Sequence, residues 1–499
     1  MKKGEKLVFI LCISLALTSA VFSQVQTGSI TGQIKDNEGN ALPGVTVAVV
    51  SDALMGTRSY VSSETGFFRF PALPPGTYAL TAEMQGFQTA KRSDIVVRVG
   101  MVVHLDISMQ VATVEQEVTV TAVAPVVDVQ QSKIAVSVDH NMLRNVPVAR
   151  DMHDIINSAP GANYSEGSGW GGADRMTSIH GASVRDNTYA FDGVNMNDPV
   201  NMHPITNLNF DVIEEVELIL GGQSAEVGYT AGAYVNIVTR SGGNKFSGGA
   251  TLYNTNKSFV QQLWTDEQYQ AMGVSKPSVD RNYNDLSFSL GGPIIKDKLW
   301  FFANGRYLRN DKDTMFLPWD LPYPHPGGFK HEPWPDWYHK ETMGFIKLTS
   351  QITPKIKVMG MFNYTSTFRP IDSSPGPRTL FIATRKWDEN VSAATGSLTY
   401  VLDQNTFIDL KGSYVHRYFA QPFQDGTYDG NVAVWNYGTN FSSGAPAYEE
   451  SWDKNRYQIA AYVTRFQERW LGGNHELKAG VEFTRDRNDW NWWRKDSMY

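Results

Sequence analysis

Hydrophobic and polar residues alternate along the second half of the chain, from about residue 246 onward. The clearest segment runs from Glu476 to Thr484, where apolar residues take every second position: Leu477, Ala479, Val481 and Phe483. Residues 285–290 repeat the pattern, with Leu286, Phe288 and Leu290 opposing Asp285, Ser287 and Ser289. Because successive side chains of a strand point to opposite faces, about nine such segments predict an antiparallel sheet with one apolar face. A transmembrane β-barrel and a water-soluble sandwich both have this pattern.

Aromatic clusters favour the barrel. They are Trp300-Phe301-Phe302, then Trp334, Trp337 and Tyr338, then Trp490, Trp492 and Trp493. Trp and Tyr collect where a barrel meets the lipid headgroups, so we expect these clusters to mark the membrane interfaces.

The first half of the chain predicts two smaller units. Residues 28–110 alternate short β-prone segments with Gly and Pro turns, which predicts a β-sandwich. From residue 137 to 243 the pattern becomes α+β. Arg150 to Asn157 can form a short helix that ends at Pro160-Gly161, and residues 216–220 and 235–239 read as strands. A Gly-rich loop spans Gly167–Gly172.

The first residues resemble a secretory signal peptide. Lys2, Lys3 and Lys6 precede an apolar run from Leu7 to about Thr18, and small residues allow cleavage after Ala20 or Ser23. The run is too short to cross a bilayer, which needs about 20 residues; a buried N-terminal helix is the alternative. Cys12, the only cysteine, lies inside this run, so we expect a mature chain without disulfides.

Charge and motifs exclude several classes of function. A net charge of −7 argues against a nucleic-acid partner, which calls for a basic face. The sequence has no His-Glu-x-x-His zinc motif, no Gly-x-Ser-x-Gly nucleophile and no Gly-Lys pair of a P-loop. We therefore expect a protein that is not an enzyme and has no cofactor or metal site.

A few polar residues leave two interpretations open. His325, His331 and His339, with Glu332, Asp336 and Glu341, could bind a metal or a sugar, or could form a solvated loop. His180 fits a structural residue better than a ligand. Asp192-Gly193 predicts a tight turn that needs Gly at positive φ. Arg150 pairs with Asp154 one helical turn away, or it faces the barrel wall.

Two segments resemble known families. The residues Gly28-x-Ile30-x-Gly32, Leu42-Pro43-Gly44, Gly66-x-Phe68-x-Phe70 and Leu73-Pro74-Pro75-Gly76 resemble the carboxypeptidase regulatory-like domain, an accessory module without catalytic residues. Asn187–Val194, Val216–Leu220, Gln223–Tyr229 and Val235–Gly243 resemble the plug of TonB-dependent receptors. Leu220-Gly221-Gly222 and Ile179-His180-Gly181 depart from siderophore transporters, and the Gly291–Phe302 hairpin is similar to Oar-like barrels, so the resemblance points to the Oar-like branch.

A candidate partner-binding segment precedes the plug-like region. Glu117, Val118, Thr119, Val120, Thr121 and Ala122 resemble a TonB box. A β-prone segment of this kind can add a strand to the exposed sheet edge of a partner, with main-chain hydrogen bonds supplying the affinity. The alternative is an ordinary strand or linker.

The predicted fold is mainly β, with an N-terminal β-sandwich, an α+β plug and the first part of an antiparallel transmembrane β-barrel. The predicted units are a signal peptide (1–23), the regulatory-like sandwich (26–110), a linker with the TonB-box-like segment (111–132), the plug (133–243) and a partial barrel (246–499). A barrel that holds a plug needs about 22 strands, and open edges in lipid are unfavourable. We therefore expect a fragment or a truncated product.

The resemblance implies a TonB-dependent receptor of the outer membrane that imports an unidentified ligand through a plugged barrel. Its partners would be TonB with the inner-membrane energising complex, outer-membrane lipid and the extracellular ligand, with no nucleic acid. A non-transporting outer-membrane protein for adhesion, signalling or export is the alternative. A secreted β-sandwich enzyme is the third possibility, and the absent motifs disfavour it.

Overall fold

The computed structural model describes residues 27–54, 56–111, 133–145, 150, 152–166, 175–223, 227–228, 230, 231–259, 265–271, 280–312, 337–371, 385–424, 434–436, 441–443 and 449–493. The predicted signal peptide, the TonB-box-like segment at 117–122, the Gly167–Gly172 loop, His325 and His331 lie outside these residues. Among the described helices, none is long and apolar enough to cross a membrane.

The N-terminal unit is the predicted sandwich of two sheets. Its strands are β1 (Gly28–Lys35), β2 (Thr46–Val50), β3 (Arg58–Val61), β4 (Phe67–Leu73), β5 (Gly76–Glu83), β6 (Ala90–Val97), β7 (Val102–His104) and β8 (Ile107–Ser108). One sheet has the order β4-β1-β7, with β8 also paired to β1, and the other has the order β3-β2-β5-β6. Inward side chains such as Ile30, Val47 and Phe68 are fully buried. A Cβ on Gly32 would lie 1.8 Å from the Leu105 carbonyl oxygen, so only glycine lets the chain approach here.

The second unit is an α+β domain around a five-stranded sheet. It contains β9 (Ile134–Asp139), α1 (His140–Asn145), α2 (Met152–Asn157), β10 (Ala162–Glu166), β11 (Arg175–Ile179), β12 (Thr188–Phe191), β13 (Val194–Asn195), β14 (Ile213–Gly221) and β15 (Tyr234–Thr239), with 3₁₀ turns at Val184–Asp186 and Phe210–Val212. The sheet order is β13-β12-β15-β14-β9. Helix α2 buries Met152, Ile155 and Ile156, the three residues on its predicted apolar face.

The third unit is a nine-stranded antiparallel sheet. Its strands are β16 (Ser247–Asn256), β17 (Asp280–Ile295), β18 (Leu299–Lys312), β19 (Trp337–Thr353), β20 (Ile356–Arg369), β21 (Trp387–Val401), β22 (Thr406–Gln421), β25 (Glu449–Trp470) and β26 (Gly473–Trp493), in that order. A 3₁₀ turn (Lys257–Phe259), α3 (Asp266–Ala271) and the hairpin β23 (Val434–Asn436) and β24 (Phe441–Ser443) lie in the connections. Short turns join the strands at one end of the sheet, which we call the short-turn end. Longer connections join them at the other, the long-loop end.

The two faces of this sheet differ as the alternation predicts. Leu286 and Phe288 are 50% and 57% exposed on the outer face, whereas Asp285 and Ser287 between them are buried on the inner face. The inner face curves around the α+β unit, and residues of both units share one apolar core that includes Ile213, Val216 and Val415. The α+β unit therefore occupies the lumen of the curved sheet.

The interpretation of the aromatic clusters as a lipid belt is wrong for Trp300 and Phe302 of the first cluster and for Trp490 of the third. Trp300 and Phe302 are each 1% exposed and lie on the inner face, and Trp300 Nε1 donates to Asn244 Oδ1 at 2.9 Å. Trp490 also lies on the inner face, because it pairs directly with Trp452, two residues from the buried Lys454. Side chains alternate between the two faces along a strand, so the face of an aromatic residue depends on its position in that alternation. The presence of an aromatic cluster does not reveal this position.

Candidate functional site at the plug and barrel interface

The Asp198 carboxylate accepts hydrogen bonds from both the lumen domain and the sheet at the interface between them. It follows β13 in a loop whose backbone N–H groups at Val200 and Asn201 donate to its Oδ1 at 2.8 and 2.9 Å. From the sheet, Arg417 Nη1 and Lys454 Nζ donate to its Oδ2 at 2.8 and 2.7 Å. Burial alone would raise the pKa of Asp198, but the attraction of Arg417 and Lys454 lowers it far below the usual range. The carboxylate therefore stays ionised at neutral pH.

A second buried ion pair lies at the turn between β12 and β13. Asp192 and Gly193 have φ values of 46° and 69°, so the predicted tight turn with Gly at positive φ is present. The Asp192 carboxylate accepts from Thr239 N at 3.0 Å and from Lys347 Nζ at 3.0 Å. Lys347 also donates to the carbonyl oxygen and the hydroxyl of Thr239. Asp192 thus binds the barrel wall as well as forming the turn.

Arg150 forms a third polar contact with the barrel. It precedes α2, and its Nη2 lies 2.6 Å from Asp211 Oδ2, while its Nε lies 3.6 Å from Asp285 Oδ2 on β17. Asp285 in turn accepts two bonds from Arg306, at 2.7 and 2.8 Å. Of the two alternatives for Arg150, the structure supports the one in which it faces the barrel wall.

Neutral hydrogen bonds extend this interface along the sheet. Asn209 Nδ2 donates to Ser287 Oγ at 2.9 Å and to Asn304 Oδ1 at 2.7 Å. Further along, Asn363 Nδ2 donates to Thr206 Oγ1 at 3.1 Å. Polar side chains of the inner face therefore hold the lumen domain at points spread from β17 to β25.

The sandwich contacts the sheet near its short-turn end. The rings of Phe67 and Phe466 stack at 5.2 Å with an interplanar angle of 9°. The Arg69 guanidinium lies over the same Phe466 ring at 4.6 Å and forms an ion pair with Glu476. The hydroxyl of Thr65 donates to Glu468 Oε2 at 3.3 Å.

The sandwich also contacts β14 of the lumen domain. Val99 N donates to Glu215 Oε2 at 3.2 Å, and the Ser137 hydroxyl donates to the other oxygen of the same carboxylate. Burial raises the pKa of Glu215, and these two hydrogen bonds oppose the shift. Lys133 Nζ bridges the Gly100 carbonyl oxygen at 3.0 Å and Glu217 Oε1 at 2.7 Å.

The remaining predicted residues do not form a site together. His339 is half-buried, and its Nδ1 accepts from Arg369 Nε at 2.9 Å. His180 is exposed at a turn with φ 54°, and its backbone N–H donates to the Gly161 carbonyl oxygen. Across the part of the chain that the structure describes, no group of three or more His, Cys, Asp or Glu could hold a metal ion. The sequence analysis missed Asp198, Lys347, Arg417 and Lys454. For the last three, the available signal was a basic residue at an inward-facing position of an alternating strand.

Comparison with known proteins identifies three domains. Residues 29–110 match the carboxypeptidase regulatory-like domain, residues 128–234 the TonB-dependent receptor plug domain, and residues 238–322 an outer membrane β-barrel domain. The TonB-dependent transporter Oar of Myxococcus xanthus is 30% identical over 310 residues, covering 59% of this chain and 28% of the relative. The probable TonB-dependent siderophore receptor PirA of Acinetobacter baumannii is 24% identical over 35% of this chain and 22% of the relative. The chain thus spans less than a third of either relative.

Solved structures show the same fold. The outer membrane transporter YddB of Escherichia coli aligns with a TM-score of 0.54 at 14% identity, covering 71% of this chain and 48% of that one. FpvA of Pseudomonas aeruginosa aligns with a TM-score of 0.52 at 11% identity, covering 74% and 44%. The domain matches confirm the predicted fold class and the outer membrane as the location of the chain. The matched relatives are receptors and transporters rather than enzymes.

Proposed function

We propose that this chain, which carries the regulatory-like, plug and barrel domains of the TonB-dependent outer-membrane receptors, acts in the active import of an extracellular ligand. The observation that carries the proposal is the plug held inside the curved sheet by the buried ion pairs of Asp198 and Asp192. A lumen filled in this way blocks passive diffusion, so transport requires that the plug move. Buried charge pairs resist such movement because separating them leaves each charge in a low-dielectric interior.

The energy for that movement must come from another protein. The sequence carries no P-loop, so we propose that TonB, energised by the inner-membrane complex, binds residues 117–122 and pulls on the plug. The described residues on either side of this segment are both held in place. Val111 bridges Phe87 in the sandwich, and Lys133 binds Gly100 and Glu217.

Force on this segment would act first on β9. Among the described strands of the plug sheet, β9 is an edge strand that pairs with β14, and it follows directly after Lys133. An edge strand can separate without breaking the rest of its sheet, so it is the natural first step of plug movement.

A proline substitution tests the role of residues 117–122 sharply. Val118→Pro removes a backbone N–H and restricts φ, which impairs strand addition, whereas Val118→Ala keeps the backbone donor. In a pull-down with the full-length protein, we expect the Val118→Ala variant to retain the purified periplasmic domain of TonB. The Val118→Pro variant should not retain it. Retention by both variants would contradict strand addition through this segment.

A growth phenotype tests import without knowledge of the ligand. We expect a strain that lacks only codons 117–122 to grow like a strain that lacks the whole gene, while the deleted protein still reaches the outer membrane in normal amount. Normal growth of the box-deletion strain, beside a defect in the gene deletion, would instead support a non-transporting role in adhesion, signalling or export.

A further inference from the structure

Four aromatic side chains form a continuous row across neighbouring strands close to the long-loop end of the sheet. The row consists of Trp387 on β21, Phe419 on β22, Trp452 on β25 and Trp490 on β26, and we call it the aromatic rail. Successive ring centroids are 4.5, 6.1 and 5.8 Å apart, with interplanar angles of 63°, 79° and 68°. Each strand thus contributes one ring, in edge-to-face contact with the next.

The aromatic rail faces the lumen and not the lipid. Trp452 lies directly opposite Phe419 on one side and Trp490 on the other, and directly opposed residues of antiparallel strands share a face. Lys454, two residues further along β25, lies on that same face and reaches Asp198 of the plug. The aromatic rail is therefore part of the lumen wall beside the plug, on the side that long loops mark as extracellular in outer-membrane barrels.

Two of the indole rings are held by the same three-part arrangement. Trp387 Nε1 donates to Glu389 at 3.1 Å, and Glu389 pairs with Arg417 at 2.7 Å. Trp452 Nε1 donates to Glu450 at 3.3 Å, and Glu450 pairs with Arg385 at 3.3 Å. A carboxylate two residues away thus fixes each indole, and an arginine on another strand or connection neutralises that carboxylate.

The aromatic rail is connected to the plug through shared cations. Arg417 pairs with both Glu389 and Asp198, at 2.7 and 2.8 Å. Lys454 lies 4.1 Å from the centre of the Trp452 ring and also binds Asp198. A ligand that shifts the indole of Trp387 or Trp452 would therefore disturb the ion pairs of Asp198, which hold the plug.

We propose that the aromatic rail is the platform for a neutral oligosaccharide. Sugar rings present apolar C–H faces and hydroxyl edges, and flat aromatic side chains flanked by a few fixed polar groups suit both. Arg385, Arg417 and Lys454 are already paired with carboxylates, and Arg369 lies over the Trp387 ring at 4.8 Å and donates to His339. Among the described residues of the aromatic rail, these four cations are therefore engaged within the protein, which favours a neutral ligand over an anionic metal chelate. Trp490 is 53% exposed, and Trp387 and Trp452 are half-buried, so ring surface remains for contact.

This proposal rests on the proposed function, because it assigns the ligand class of the same receptor. Its test uses the purified full-length protein in detergent without TonB, so that a failure of binding is distinct from a failure of energised import. The probes are maltohexaose, cellohexaose and laminarihexaose, with ferric citrate as the anionic comparison. We expect at least one hexasaccharide, and not ferric citrate, to change the intrinsic tryptophan fluorescence with saturation.

Substitutions locate the binding. Trp452→Ala should weaken binding by roughly tenfold or more, as expected for a central aromatic contact, and Trp452→Phe should retain most of it because a ring remains. Trp470→Ala removes an exposed tryptophan at the short-turn end and is the matched control, with unchanged affinity expected. Heat-dependent migration in gels checks that each variant is folded.

Three results would overturn the proposal: binding of none of the three hexasaccharides, binding that Trp452→Ala leaves intact, or rail-dependent binding of ferric citrate. In the last case the platform would serve a charged chelate instead.

Discussion

Lys454 Nζ of the barrel wall lies 2.7 Å from Asp198 Oδ2 of the plug, and the side chains are 1% and 0% exposed. The two residues are 256 positions apart in the chain. A buried ion pair contributes little compared with a well-packed apolar pair, but removing one partner leaves the other charge buried and uncompensated. The pair therefore holds the plug in one position more than it stabilises the fold.

The first prediction concerns the Asp198 carboxylate. Asp198→Asn removes the carboxylate that lies between Arg417 and Lys454 and leaves Arg417 paired with Glu389 alone, so we expect a loss of about 3–5 kcal/mol in local stability. Hydrogen exchange of the loop after β13, followed by mass spectrometry, should then be faster. Asp52→Asn is the control, because Asp52 and Lys245 are 93% and 82% exposed and such surface pairs contribute about 0–1 kcal/mol. Equal exchange in Asp198→Asn and wild type would contradict the role of this pair.

The second prediction concerns coupling between Asp192 and Lys347. In a double-mutant cycle with Asp192→Asn and Lys347→Met, we expect an interaction free energy of roughly 1–3 kcal/mol, because the two groups are in contact and buried. Each single variant leaves one buried charge unpaired, whereas the double variant leaves none. The four free energies of unfolding are measured by chemical denaturation, with hydrogen exchange of plug peptides as the readout. Strictly additive effects would show that the two side chains act independently.

The faces of the barrel sheet follow from the sequence, because a period of two fixes which side chains share a side. Leu286 and Phe288 lie outward and Asp285 and Ser287 inward, as predicted. The core of the sandwich follows from the same alternation, and the apolar face of α2 follows from the helical period of 3.6 residues. These features depend on neighbours within a few residues along the chain.

The partners of Asp198 could not be found in this way. Asp198 stands before Pro199 in a polar loop, and Lys454 and Arg417 lie on strands whose contact with that loop depends on the curvature of the whole sheet. The aromatic rail was missed for a related reason. Composition suggested a lipid belt, whereas a shift of one position moves a side chain such as Trp490 from the lipid face to the lumen face.

The third prediction is a pH dependence at Glu215. Burial raises the folded-state pKa of Glu215 above the ordinary 4.5. The protonated carboxyl therefore contributes stability to the plug at pH values below 4.5. This stability is lost as the pH rises through the folded-state pKa. Glu215→Gln should therefore gain stability relative to wild type as pH rises from about 4 to 7. Glu214→Gln is the control, because the side chain of this neighbouring residue is 45% exposed. Melting temperatures across this range provide the measurement, and a pH-independent difference between Glu215→Gln and wild type would contradict it.

The fourth prediction concerns the attachment of the sandwich to the barrel. Arg69 is 4% exposed, stacks on Phe466 and pairs with Glu476, so Arg69→Ala removes a cation–π contact of about 0.5–2 kcal/mol together with an ion pair. With a specific protease site inserted between residues 111 and 133, the cut wild-type protein should keep its sandwich during size-exclusion chromatography. The Arg69→Ala protein should release it, whereas Glu83→Ala, at an exposed end of β5, should not. Release from the cut wild type would mean that the chain connection, and not the Phe466 and Glu476 contacts, keeps the sandwich at the barrel.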